Sequence, residues 1–76
     1  MPKLIPCRYS KLRKILLFIG FVQREASGSH VFFGHPDGRT TLVPKRNDDL
    51  GKGLLRKILN DAGLTVEEYE KYRQKL

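Results

Sequence analysis

The turn His35-Pro36-Asp37-Gly38 constrains this chain more than any other feature. Proline presets φ, aspartate bonds back to its own backbone, and glycine accepts positive φ. The turn stands between His30-Val31-Phe32-Phe33 and Thr40-Thr41-Leu42-Val43, two short runs rich in β-branched and aromatic residues. That spacing predicts an antiparallel hairpin, with Pro44 stopping the later strand. An earlier strand opens at Phe21-Val22 and continues with polar residues through Glu25. Ala26-Ser27-Gly28 reads as the turn that follows it.

Helical spacing flanks the strands. Ser10 is placed to cap a first helix, in which Leu12, Ile15, Leu16 and Ile19 share one face. Gly20 suits the position that ends it. Leu17 and Phe18 widen the apolar face, either as extra core contact or as a surface for a partner. After a charged loop from Lys45 to Lys52, helical spacing returns with Leu55, Ile58, Leu59 and Ala62, and Gly63 ends that helix. Thr65 and Glu68 form a capping box for a last short helix through Tyr69 and Tyr72. The order predicts an α+β fold, a small three-stranded antiparallel sheet with helices on one face. At 76 residues, the chain 1–76 makes one domain with a modest core. Any active site is expected to lie open on the surface, suited to an extended polymer.

The 15 Lys and Arg residues against 8 Asp and Glu leave a net charge of +7. Such a surface attracts a polyanion: nucleic acid, an anionic membrane or an acidic protein. Cys7 is the only cysteine, so no intramolecular disulfide forms; it reads as a small apolar filler near the first helix. Cys7, His30 and His35 lack the spacing of a zinc site. Nothing resembles a signal peptide in the lead Met1-Pro2-Lys3. The apolar run Ile15 to Ile19 falls short of the roughly 20 residues of a membrane span, so the expected compartment is the cytoplasm.

Period two puts His30 and Phe32 on one sheet face and Val31 and Phe33 on the other, and both pairs contain apolar residues, so the pattern leaves the exposed face open. If His30 faces outward, Phe32 beside it is a platform for base stacking. Otherwise His30 is a hydrogen-bonded or merely exposed side chain. Gly28 allows close backbone approach, and Ser29 offers a hydroxyl and an amide to a phosphate. Serine-hydrolase chemistry fits poorly. Ser29 and His30 are strand neighbours whose side chains point apart, and no G-x-S-x-G elbow is present. The pairs Asp48-Asp49 and Glu67-Glu68 are adjacent residues, ill-placed for paired-carboxylate chemistry. Lys45, Arg46, Lys52 and Arg56 offer cations near the start of the second long helix, where Gly51 and Gly53 flank Lys52. They are a phosphate-binding option or an ordinary solvated loop.

The segments Gly20-Phe21, Gly28-Ser29-His30-Val31-Phe32, His35-Pro36-Asp37-Gly38-Arg39, Val43-Pro44, Gly53-Leu54-Leu55-Arg56-Lys57-Ile58-Leu59 and Gly63-Leu64 resemble the HicA family of mRNA interferase toxins in order and spacing. The resemblance implies a fold like the double-stranded RNA-binding domain, α-β-β-β-α, and cleavage of mRNA without a metal or other cofactor. It maps the family's catalytic histidine, which follows Gly-Ser, onto His30. It also implies a HicB-type antitoxin as partner. Two departures stand out: Lys45-Arg46 occupies the place after Val-Pro where the family often has another histidine, and Leu54 the place of a frequent threonine.

On this reading, neutral His30 takes the proton of the RNA 2′-hydroxyl as that oxygen attacks phosphorus. Arg39, Lys45, Arg46 and Lys52 are expected to bind phosphate, His35 to serve its turn, and the general acid has no assigned residue. The rivals are a non-catalytic RNA-binding module of the same fold and a basic adaptor for an acidic protein.

Overall fold

The structure is a computed structural model and describes residues 3–76; Met1 and Pro2, which open the basic N-terminal lead, lie outside the described residues. The order is α1 (Tyr9–Phe18), β1 (Val22–Ser27), β2 (His30–Gly34), β3 (Thr40–Pro44), α2 (Lys52–Ala62) and α3 (Val66–Lys75). The sheet runs β1-β2-β3, with both pairs antiparallel. This is the α+β architecture expected from the sequence, consistent with a double-stranded RNA-binding-domain-like fold. Val31, Phe33 and Val43 point inward from the sheet and meet Leu12, Ile15 and Leu16 of α1 and Leu55, Ile58 and Leu59 of α2 in one core.

The N-cap of α1 falls two residues before the expected one. Arg8 is its extended N-cap residue, without a side-chain cap, and Ser10 lies inside the first turn. The reason is tertiary. Arg8 pairs with Asp49 as an isolated antiparallel bridge, and Leu50 N–H donates to the Cys7 carbonyl at 2.9 Å. These pairings, with Tyr9 and Cys7 buried, fix where the chain turns into the helix and outweigh the cap preference of serine. Both α1 and α2 end in Schellman motifs. Phe21 N–H reaches the Leu16 carbonyl and Gly20 N–H that of Leu17, while Leu64 and Gly63 do the same to Leu59 and Asn60.

β1 is longer than its apolar content suggested, running through Ala26 and Ser27. The register of β1 against β2 skips Arg24, a bulge that lets Gln23 accept a hydrogen bond from Arg13 of α1 at 2.9 Å. Pro44 ends β3 from within the strand.

α3 is ten residues long, nearly equal to α2, rather than the short helix anticipated. Its capping box is formed as read: Thr65 Oγ1 accepts from Glu68 N–H at 3.1 Å, and Glu68 Oε1 accepts from Thr65 N–H at 3.0 Å. Tyr69 is the one buried residue of α3, and its hydroxyl donates to the Ile5 carbonyl at 2.6 Å. Cys7 lies against it in the core as the expected filler, and burial pushes its thiol pKa up. Phe18 remains 54% exposed, but its ring meets Tyr72 of α3 at 5.4 Å, and Lys75 Nζ lies 5.7 Å from the ring centre.

Replacing Thr65 by alanine removes the cap from a helix held by one buried ring. The expected loss is about 1 kcal/mol, seen as a Tm about 4–8 °C lower in thermal unfolding. Acid acts through three carboxyls held below their ordinary values. The Arg39 backbone N–H does this for Asp37, the Thr65 N–H for Glu68, and the Arg73 guanidinium for Glu70. A folded-state pKa below the unfolded one adds stability above the ordinary carboxylate range, and that stability is lost as pH falls through the lower, folded value. Tm is therefore expected to fall as pH drops from about 5 to about 3, and less steeply in Glu68→Gln.

Candidate functional site

β2 is buried in alternation, with Val31 and Phe33 inward and His30 and Phe32 exposed. The structure thus settles the question that the pattern left open: His30 faces outward. Two cross-strand rows build the surface around it. Ser27, His30 and Pro44 form one, and Glu25, Phe32 and Leu42 the next. Between them lies an open concavity of about 200 Å³ lined by Glu25, Ser27, His30, Phe32 and Leu42. Phe32 and Leu42 are 36% and 52% exposed, an apolar floor on which a planar base can lie. Glu25 is diagonal to His30 across the strand pair, a reach that long side chains close.

The turn that presents His30 is one residue later than expected. Ser27 pairs with His30, so only Gly28 and Ser29 lie between the strands. Gly28 has φ +60 and Ser29 is not positive, the pattern of a type II′ hairpin turn. Close approach is not why glycine stands there, since a Cβ at Gly28 would meet nothing within 4 Å. The backbone angle is the reason.

The expected phosphate-binding residues divide. Lys45 follows Pro44, the partner of His30, and its N–H donates to the Ser29 carbonyl at 2.5 Å. Gly28, Ser29 and Lys45 therefore adjoin His30 through the turn and the strand end, and Arg46 follows Lys45; none of the four lines the concavity itself. Arg39 lies elsewhere. It precedes β3 at the end where Thr40 pairs with Gly34, the opposite end from His30. Its guanidinium is engaged there: Nε donates to Asp37 at 2.8 Å, Nη1 donates to the Ala62 carbonyl, and the group lies over Phe21. Arg39 ties the hairpin turn to the end of α2. Lys52 and Arg56 are exposed on α2, in the helix layer, and neither lines the concavity.

His35 serves its turn, as expected, and also holds α1. Its Nε2–H donates to the Ile19 carbonyl at 3.2 Å, and its Nδ1 lies 3.1 Å from the Asp37 N–H and 3.0 Å from the Asp37 carboxylate. Its ring meets Phe21 edge-on at 5.1 Å.

Two residues of the outer sheet face escaped sequence reasoning, Glu25 beside His30 and Arg24 at the far end of β2. Glu25 was read only as the polar end of a strand. Arg24 sits at the bulge, where its Nε would come within 3.0 Å of a Cβ on Gly34, two residues along from Phe32 on the outer face. The signal for both is the strand register, which a bulge hides from the pattern of one strand.

Fold and site together define a small basic α+β domain that displays a histidine and apolar residues on an open sheet face. A family model described as the HicA toxin of bacterial toxin–antitoxin systems matches residues 9–64, well over half of the chain, and the protein belongs to that family. It is thus a toxin of a kind that is paired with an antitoxin. A comparison with curated proteins found no match. Among the described residues, no helix is long and apolar enough to cross a membrane.

Gly28→Ala forces a side chain into a positive-φ position and is expected to cost more than about 1 kcal/mol. Gly53→Ala, at an open helical position, is expected to stabilise by about 0.4–1 kcal/mol. Urea unfolding of the two variants measures the contrast. Equal effects at the two positions would contradict the turn geometry.

Proposed function

We propose that this toxin is an endoribonuclease that cleaves mRNA without a metal cofactor, with His30 as its general base. The observation that carries this reading is the place of His30. It stands on an open face between a serine and a phenylalanine, on a chain of net charge +7 that belongs to a toxin family. An extended RNA strand fits an open face better than a small metabolite does.

In the proposed reaction, an RNA base rests on Phe32 and Leu42, and the neighbouring 2′-hydroxyl faces the imidazole. His30 takes the hydroxyl proton, the 2′-oxygen bonds to phosphorus, and the bond from phosphorus to the 5′-oxygen breaks. The leaving oxygen takes a proton from solvent, and the product carries a 2′,3′-cyclic phosphate. Glu25 stabilises the imidazolium formed when the proton moves. Backbone amides at Gly28 and Ser29, with Lys45, offset charge on the phosphorane; Lys52 and Arg56 contact the RNA backbone farther away. A HicB-type antitoxin, acting in the cytoplasm, neutralises the toxin.

A base of this kind contributes about 10²–10⁴-fold. His30→Ala is therefore expected to lose RNA cleavage by that factor while keeping RNA affinity, since the imidazole is neutral when it acts. Wild-type cleavage should persist in EDTA, leave cyclic-phosphate ends and spare DNA, which lacks the 2′-hydroxyl. Full cleavage by a folded His30→Ala protein would leave the chain an RNA-binding module without this chemistry.

A further inference from the structure

A second depression lies at the amino end of α1. It measures about 440 Å³ and is lined by Arg8, Tyr9, Ser10, Lys45, Arg46 and Asn47. Three of these six are cations, none is an acid, and among the described residues none of the three cations forms an ion pair. Like charges around one hollow repel, and an anion seated there removes that cost. The walls come from segments far apart in sequence, fastened by the Arg8–Asp49 bridge and the bond from Leu50 N–H to the Cys7 carbonyl. The amino end of α1 adds a further attraction. It has no side-chain cap and no acid in its first turn, so no residue of the helix itself offsets its partial positive charge.

The depression adjoins the His30 site through Lys45. That residue lines the hollow, bonds through its backbone to Ser29, and follows the strand partner of His30. A nucleic-acid strand lying over His30 thus continues past the end of β3 onto Lys45, Arg46 and Arg8. The two guanidinium groups offer the planar forks that suit phosphate oxygens. We propose that this depression binds a phosphodiester of the RNA next to the scissile one, so that the enzyme acts on strands longer than the dinucleotide it cuts. The proposal rests on the ribonuclease reading for the position of the scissile bond. Phosphate binding itself does not depend on cleavage.

The test uses the full chain and two substrates, a dinucleotide and an eight-nucleotide single-stranded RNA, with the variant Arg8→Gln, whose exposed side chain lines the hollow and lies outside the His30 concavity. The octamer's kcat/KM is expected to fall about tenfold or more, as for lost hydrogen bonds to charged groups, with the change in KM. Cleavage of the dinucleotide should stay at the wild-type level, which also shows that the variant is folded. In a His30→Ala background, anisotropy with labelled octamer should show the same loss. The slope of log affinity against log salt should fall by about 0.7 for each contact removed.

Equal losses on both substrates would place Arg8 at the scissile phosphate and overturn the proposal. Unchanged octamer binding would overturn it too, as would a loss confined to a poly-glutamate peptide, which would make the hollow a protein-docking surface. If the wild type cuts neither RNA while octamer binding still depends on Arg8, phosphate binding stands and the ribonuclease reading fails.

Discussion

The alternation of side chains along β2 is the constraint on which the rest of this molecule depends. Val31 and Phe33 are buried against the helices, and the same pleat turns His30 and Phe32 to the outside. A slip of one residue would carry the histidine into the core and Val31 and Phe33 into water. That exchange would remove the inward pair from a small core and bury a polar ring among apolar side chains. The core therefore holds the register, and the register holds the candidate site. No residue of the concavity needs to stabilise the fold for the concavity to keep its shape.

The ends of the sheet are fixed by different means. At one end, His35, Asp37 and Arg39 link the hairpin turn to the ends of α1 and α2, all through side chains meeting backbone or each other. At the other, the two-residue turn and the Lys45–Ser29 bond hold the strands together, leaving side chains uncommitted. Polar groups at the first end are used up by structure. Those at the second make no side-chain hydrogen bond or ion pair among the described residues. The division explains why Arg39, though as basic as its neighbours in sequence, does not join them in space.

Local signals carried much of the fold. Leu55, Ile58, Leu59 and Ala62, picked out by helical spacing, are the four buried residues of α2. The Thr65–Glu68 box is formed, since capping depends on residues three apart and little else. Long-range pairing was hidden. The start of α1 follows from Arg8 meeting Asp49, about half the chain away, and serine's preference at Ser10 yields to it. The outward face of His30 was hidden for another reason: Phe32 is as apolar as its inward neighbours, so hydropathy alone could not orient the strand. Glu25 enters the concavity only through the register of β1, and the bulge at Arg24 shifts that register by one.

The single thiol has a consequence of its own. Cys7 is buried in the core against Tyr69, the only buried residue of α3. A terminal helix with one fully buried residue, its other core contacts through half-exposed Val66 and Tyr72, opens more readily than the sheet does, in the manner of a sub-global unit. The protein thus carries a built-in clock for that opening. A thiol reagent gains access to Cys7 when the last helix lifts, and its labelling rate, set against that of global unfolding, separates the detachment of one segment from the melting of the whole.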